Sequence, residues 1–112
     1  MATQIAETDG VRKLGDDDIE VVVGDDGIVL VEFYAEWCGT CQRMTPILAG
    51  IAADTDAAVL TIDIESHLET AIEFGAQSAP TFVLFVDGQP VKQLQGGHKE
   101  QSLRDLVATY GG

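Results

Sequence analysis

Two cysteines stand three positions apart in Trp37-Cys38-Gly39-Thr40-Cys41, and the 112-residue chain has no others. The run ahead of them, Ile28-Val29-Leu30-Val31-Glu32-Phe33-Tyr34, reads as a buried strand. Cys41-Gln42-Arg43-Met44 onwards reads as helix, so the pair falls at a strand-to-helix junction. A sulfur at a helix start faces unpaired N–H groups and the positive end of the helix dipole, which favour thiolate over thiol. Cys38 is therefore expected to attack. Cys41, one turn further in, is expected to be more shielded and to act second.

Other uses of the pair fit less well. A structural zinc site needs about four N or S ligands, and the only histidines, His67 and His98, are remote in sequence; no metal is expected. A structural disulfide across two intervening residues would close almost no loop. Two inert core cysteines are the remaining alternative, and a neighbouring aromatic and glycine count against it.

Composition narrows the setting. The length suits one domain and leaves no room for a second. Residues 1–10 lack the basic and apolar regions of a signal peptide and read as a flexible tail, with 11–112 as a single domain. No run approaches the roughly 20 apolar residues of a membrane span, so a cytoplasmic address is expected, where cysteine pairs are usually catalytic or metal-bound. Six Lys plus Arg against nineteen Asp plus Glu give a formal net charge of −13. Such a chain cannot neutralise a row of phosphates, which excludes nucleic acid as a partner. Its 46% hydrophobic content argues for a packed core rather than disorder. The acidity points further, to a host of high salt. Across a domain with a radius of gyration of about 13 Å, excess carboxylates repel one another in dilute buffer, where the Debye length is about 30 Å. In molar salt, where it is about 3 Å, each feels only its neighbours.

The elements that position the cysteines follow from periodicity. Val11 to Leu14 reads as a short edge strand. Asp17 and Glu20 have capping-box spacing ahead of a short helix with Ile19, Val22 and Val23 on its apolar face, and Gly24-Asp25-Asp26-Gly27 turns the chain. Ile28 to Tyr34 is apolar on both faces, as a central strand should be. Glu32 interrupts it. In a central strand, burial raises the pKa of this carboxyl and leaves it behind the cysteines, able to exchange protons with Cys41. The alternative is a solvated edge.

The helix runs on through Gln42 to Ala53, with Met44, Ile47, Leu48 and Ile51 inward and Pro46 expected to kink it. A strand follows over Ala57 to Asp63. Ser66 and Glu69 form a second capping box for a helix through Leu68, Ile72 and Phe74, stopped by Gly75, with His67 solvated in its first turn. Ala79-Pro80-Thr81 enters a strand over Phe82 to Val86; Pro80 either starts it or marks a cis bond. The turn Asp87-Gly88, a return strand over Val91 to Gln95, the break Gly96-Gly97 and a helix marked by Leu103, Leu106, Val107 and Tyr110 complete the chain. His98 reads as a surface residue at that helix's start. The order βαβαβαββα predicts an α/β mixed sheet with helices on both faces.

In register over residues 11 to 110, Phe33 through Cys41, Pro46, Ala79-Pro80-Thr81, Phe85 through Gly88 and Gly96 closely resemble the thioredoxin family. The resemblance implies a thioredoxin fold, with a central mixed sheet of four to five strands. It implies Cys38 as nucleophile, Cys41 as resolving thiol, the two as a redox-active disulfide, and Glu32 in place of the family's buried aspartate. Pro80 would be the cis-proline, with the Ala79 backbone pairing to an extended substrate segment. Trp37, Gly39, Thr40, Ala79, Gly96 and Gly97 would line the docking surface. The implied activity is reduction of disulfides in target proteins by dithiol exchange, in a monomer re-reduced by a thioredoxin-reductase-type donor. No bound cofactor is expected, since a glycine-rich phosphate loop is lacking.

Three departures matter. Thr40 replaces the family's proline and adds a donor near Cys38, which should shift the pair toward a more oxidising potential. Glu32 is one methylene longer than aspartate. Thr61 stands where a lysine is common, leaving Glu32 without that cation and its pKa higher still. Rival readings are an oxidase, an isomerase, a glutathione-dependent enzyme, or a binding module that uses the fold alone.

Overall fold

The computed structural model describes residues 6–8, 11–13 and 27–111. The helix expected around Ile19 to Val23, its capping box and most of the following turn lie outside the described residues. Ile28–Tyr34 (β3) lies in the middle of the sheet because alternate residues bury against both layers: Val29, Val31 and Phe33 on one face, Leu30 on the other. It pairs in parallel with Ala58–Asp63 (β4) and antiparallel with Thr81–Val86 (β5). Gln89–Gln95 (β6) closes one edge against β5. Beyond β4 lie Val11–Lys13 (β2), parallel to it, and Ala6–Thr8 (β1), antiparallel to β2.

The described sheet is therefore six-stranded, in the order β1-β2-β4-β3-β5-β6. It exceeds the expected four to five strands because Ala6–Thr8, inside the stretch read as a tail, forms a strand. Three residues are too few to show a period of two in sequence.

Gly39–Asp54 (α1) and Glu100–Gly111 (α3) cover one face. Met44, Leu48 and Ile51 of α1 and Leu103 and Val107 of α3 meet Leu30, Val59, Phe82 and Leu84 there. Leu68–Glu73 (α2) covers the other face through Ala71, beside Val31, Phe33, Ile62 and Phe85. Helices thus lie on both faces, as the element order predicts, and α1 runs as one helix through Pro46. Fully burying a Leu, Ile or Phe stabilises by about 1.5–3 kcal/mol, so β3, flanked on both sides by such residues, is held firmly. The strand that leads into the cysteines is thus anchored on both of its faces.

Three local expectations are corrected. The N-cap of α2 is His67, one residue after Ser66, because the chain first turns through His67 N–H donating to Asp63 O at 3.0 Å. The Ser66/Glu69 box therefore does not open the helix, and His67 is half-buried rather than solvated. In α2, Leu68 and Ile72 are 58% and 67% exposed, and Thr70 and Ala71 are the buried residues. Tyr110, taken as part of the inward face of α3, is also exposed.

The Asp87-Gly88 turn matches expectation. Both residues have positive φ, 51° and 85°, the pairing a two-residue hairpin favours. Asp87 also exchanges bonds with Gly27: its N–H donates to Gly27 O at 2.9 Å, and Gly27 N–H donates to its Oδ1 at 2.8 Å. No helix among the described residues is long and apolar enough to cross a membrane.

Candidate active site

Where β3 ends, Cys38 N–H donates to Ala35 O at 3.1 Å and turns the chain into α1. Cys38 is the N-cap, in extended conformation, and Cys41 N–H donates to its Sγ at 3.1 Å. The sulfur thus takes the place that a serine or aspartate oxygen usually occupies at a helix start, facing the positive end of the helix dipole. No acidic residue lies in the first turn of α1 to oppose it.

Both cysteines are free thiols and nearly equal in exposure, 5% for Cys38 and 4% for Cys41. The expected greater shielding of Cys41 does not appear in its exposure. It appears in its chemistry: burial, then the hydrogen bond with Cys38, push the Cys41 pKa up to about 12, with the charges of Glu32 and Cys38 adding to the rise and a backbone hydrogen bond at Ala35 opposing it.

Glu32 lies between Thr61 on β4 and Phe82 on β5. It is 3% exposed, so the solvated-edge alternative falls away. Its Oε2 has no hydrogen-bond partner among the described residues. Burial raises its pKa to about 7, the direction the sequence suggested for an acid in a central strand whose neighbour is Thr61. Glu32 contributes to the raised pKa of Cys41, which places the two within electrostatic reach of each other.

The remaining site residues come from three separate loops. The Ala79-Pro80 peptide is cis, which decides between the two readings of Pro80. Ala79 packs against the cluster formed by Ala35, Cys38 and Cys41. Gly96 N–H donates to Pro80 O at 2.8 Å, drawing the end of β6 to the proline; Gly96 has φ +81°, which favours glycine. Gly97 then meets Thr40 so closely that a Cβ built on it would stand 2.8 Å from the Thr40 methyl. Trp37 is 71% exposed beside the pair, and Gly39 is exposed too.

His98 is not the surface residue expected. Half-buried, its Nδ1 lies 2.9 Å from Gly96 O, and its ring meets Phe82 edge-on with centroids 6.3 Å apart. One contact went unremarked in the sequence: Arg43 Nη2 donates to Thr40 Oγ1 at 2.9 Å. Its signal was the three-residue spacing of a helix. No cluster of three or more metal-ligating side chains occurs among the described residues.

Comparison with known proteins agrees with this geometry. The family model described as thioredoxin matches residues 10–109. The thioredoxin of Chlamydia muridarum is 40% identical over 85 residues, 75% of this chain and 83% of the relative. The solved structure of a mutant thioredoxin from Halobacterium salinarum superposes with a TM-score of 0.89 at 37% identity, covering 96% of each chain. A structure described as the basis of thiol resolution in yeast mitochondrial 1-Cys peroxiredoxin, through glutathione and thioredoxin systems, superposes with a TM-score of 0.78 at 27% identity, covering 87% of this chain and 92% of that one.

Proposed function

The chain belongs to the thioredoxin family, and as a thiol-disulfide oxidoreductase acting on disulfide-containing proteins we propose that it assigns its steps to Cys38, Cys41 and Glu32 in that order. The observation that carries this reading is the N-cap geometry, in which the Cys41 amide points at Cys38 Sγ.

Cys38 thiolate attacks one sulfur of the target disulfide. A Cys38–target disulfide forms, and the other target sulfur leaves as thiolate and takes a proton. Cys41 then attacks Cys38 Sγ, its proton passing to Glu32. The products are a reduced target, with two thiols, and the Cys38–Cys41 disulfide. The order of steps follows from what raises the Cys41 pKa. Two of the causes, the hydrogen bond with Cys38 and the charge on it, disappear once Cys38 is bonded to the target. Cys41 becomes the stronger nucleophile only when a mixed disulfide exists to resolve.

Trp37, Gly39, Thr40, Ala79, Pro80, Gly96 and Gly97 form the docking surface in this reading. The close approach of Thr40 to Gly97 and the bond from Gly96 to Pro80 support that assignment. Re-reduction falls to a thioredoxin-reductase-type donor. A peroxiredoxin is one class of target, by analogy with the thiol-resolution structure of the yeast protein.

Thr40 sets the potential. With a hydroxyl in place of the proline ring at this position, the turn gains an N–H and loses stiffness, so the oxidised form is favoured less. Equilibration with a glutathione or dithiothreitol redox buffer should give Thr40→Pro a potential lower than wild type by roughly 30 mV, or about 1.4 kcal/mol for two electrons. Equal potentials would remove Thr40 from the account.

The protein acts as a cytoplasmic monomer suited to high salt. Its net charge of −13 supports this, and so does the likeness to the Halobacterium salinarum protein. Melting temperature is expected to climb between 0.1 and 3 M salt as repulsion is screened, with sedimentation giving an 11.9 kDa species throughout. A flat melting curve would refute the salt adaptation, and a dimer the monomer.

A further inference from the structure

We propose that Arg43, held in place by Thr40, forms a carboxylate-binding subsite beside Cys38 that favours target segments with an acidic residue next to their disulfide. The proposal rests on the dithiol-exchange reading above.

Arg43 is exposed on α1, yet its guanidinium folds back toward the helix start instead of extending into solvent. Nη2 donates to Thr40 Oγ1 at 2.9 Å. Nη1 lies 3.8 Å from the point where a Cβ on Gly39 would stand, an ordinary contact distance, which puts the guanidinium over the residue that follows the nucleophile. Thr40 is itself fixed, its methyl packed against Gly97. One face of the side chain thus anchors to the docking loop and the other to Arg43.

A guanidinium has five N–H donors in a planar fork suited to carboxylates. The single bond to Thr40 leaves the Nε and Nη1 edge without a hydrogen-bond partner among the described residues. Placement makes this cation unusual. The other described cations are Arg12 and Lys13 on β2, Lys92 on β6, Lys99 just before α3, and Arg104, which is held by Asp54 and Glu100 at the far end of α1. Arg43 alone is carried by the helix that presents the cysteines. Exposed Glu36, Glu65 and Glu69 lie on the loops and helix that follow β3 and β4, in a chain of net charge −13. An acidic target is repelled by the molecule as a whole. Arg43 offers it one favourable contact at the point of reaction.

Two synthetic peptides with the same intramolecular disulfide, one flanked by glutamates and one by lysines, test the subsite. Their rates of reduction by the reduced full-length protein would be followed by quenched alkylation and mass spectrometry, and the acidic-to-basic rate ratio compared among variants. Arg43→Ala should lower that ratio about three- to fivefold in dilute buffer, the range of a partly exposed ion pair, and Arg43→Glu should lower it further. Thr40→Val, which keeps a methyl against Gly97 and removes the acceptor, should fall between Arg43→Ala and wild type. In 2 M salt the wild-type and Arg43→Ala ratios should converge.

An unchanged ratio in Arg43→Ala overturns the subsite. So does an equal loss on both peptides, which would mean that the guanidinium acts on the sulfur or on the fold. A Thr40→Val ratio equal to wild type overturns the anchoring. A wild type that reduces neither peptide removes the exchange reading itself, and the subsite with it.

Discussion

Cys38→Ser should reduce insulin disulfides at less than about a thousandth of the wild-type rate, whether dithiothreitol or a thioredoxin reductase supplies electrons, because a serine hydroxyl cannot form the mixed disulfide. Cys41→Ser should fail differently. Its Cys38 still accepts the Cys41-position N–H through the backbone, so it still attacks, but the covalent adduct has no resolving thiol. A Cys41→Ser band joined to target on a non-reducing gel, absent from Cys38→Ser, would establish the order of the two sulfurs. Iodoacetamide near neutrality should likewise label Cys38 first, since Cys41, with its pKa pushed up to about 12, is almost wholly thiol there. Labelling of Cys41 first would reverse the assignment. Full activity in Cys38→Ser would return the chain to the rival reading of a binding module.

The parts of this site readable in the sequence are those governed by local pattern. A doubly apolar strand, a turn and a 3.6-residue period were enough to place Cys38 at a helix start, where the structure has it as N-cap. The same logic put Glu32 inside the sheet, because an acid in an otherwise apolar central strand has no solvated face. Pro80 was legible only as a pair of alternatives, since isomer choice depends on what packs around it. Contacts between remote segments were not legible. Thr40 against Gly97 and His98 against Phe82 join residues from different elements, and nothing local to either marks them. The short strand β1 and the start of α2 escaped for another reason. β1 has three residues and α2 six, so propensity and periodicity have too few positions to register, and tertiary packing decides their ends. At α2 the small Ala71 and Thr70 are the buried residues, and the larger Leu68 and Ile72 lie outside.

Glu32→Leu should make the protein more stable and less active, and the two effects together separate a functional acid from a structural one. The folded-state pKa of about 7 lies above the reference of 4.5, so the folded chain holds the proton more tightly than the unfolded chain does. Below pH 4.5 the carboxyl is protonated in both states and exerts no pH-dependent effect. As pH rises from 4.5 to 7 the unfolded chain ionises first, and wild-type stability falls. Above pH 7 the whole penalty is present, about 3 kcal/mol at 1.36 kcal/mol per pKa unit.

Leucine at this position removes a buried carboxyl whose Oε2 has no hydrogen-bond partner among the described residues. Urea unfolding should therefore show Glu32→Leu ahead by about 3 kcal/mol more at pH 8.5 than at pH 4, or roughly 10 °C in melting temperature for a domain of this size. Turnover should move the other way. Without a proton acceptor behind Cys41, resolution of the mixed disulfide should slow by about a hundredfold at neutral pH, within the range of general-base contributions. Wild-type resolution should rise with pH through about 7 as Glu32 ionises, and the variant should lose that inflection. A variant that gained stability but kept both the rate and the inflection would leave Glu32 a costly residue with no part in the chemistry. Loss of both, with an unchanged difference in stability between pH 4 and 8.5, would mean that the carboxyl is already ionised in the fold.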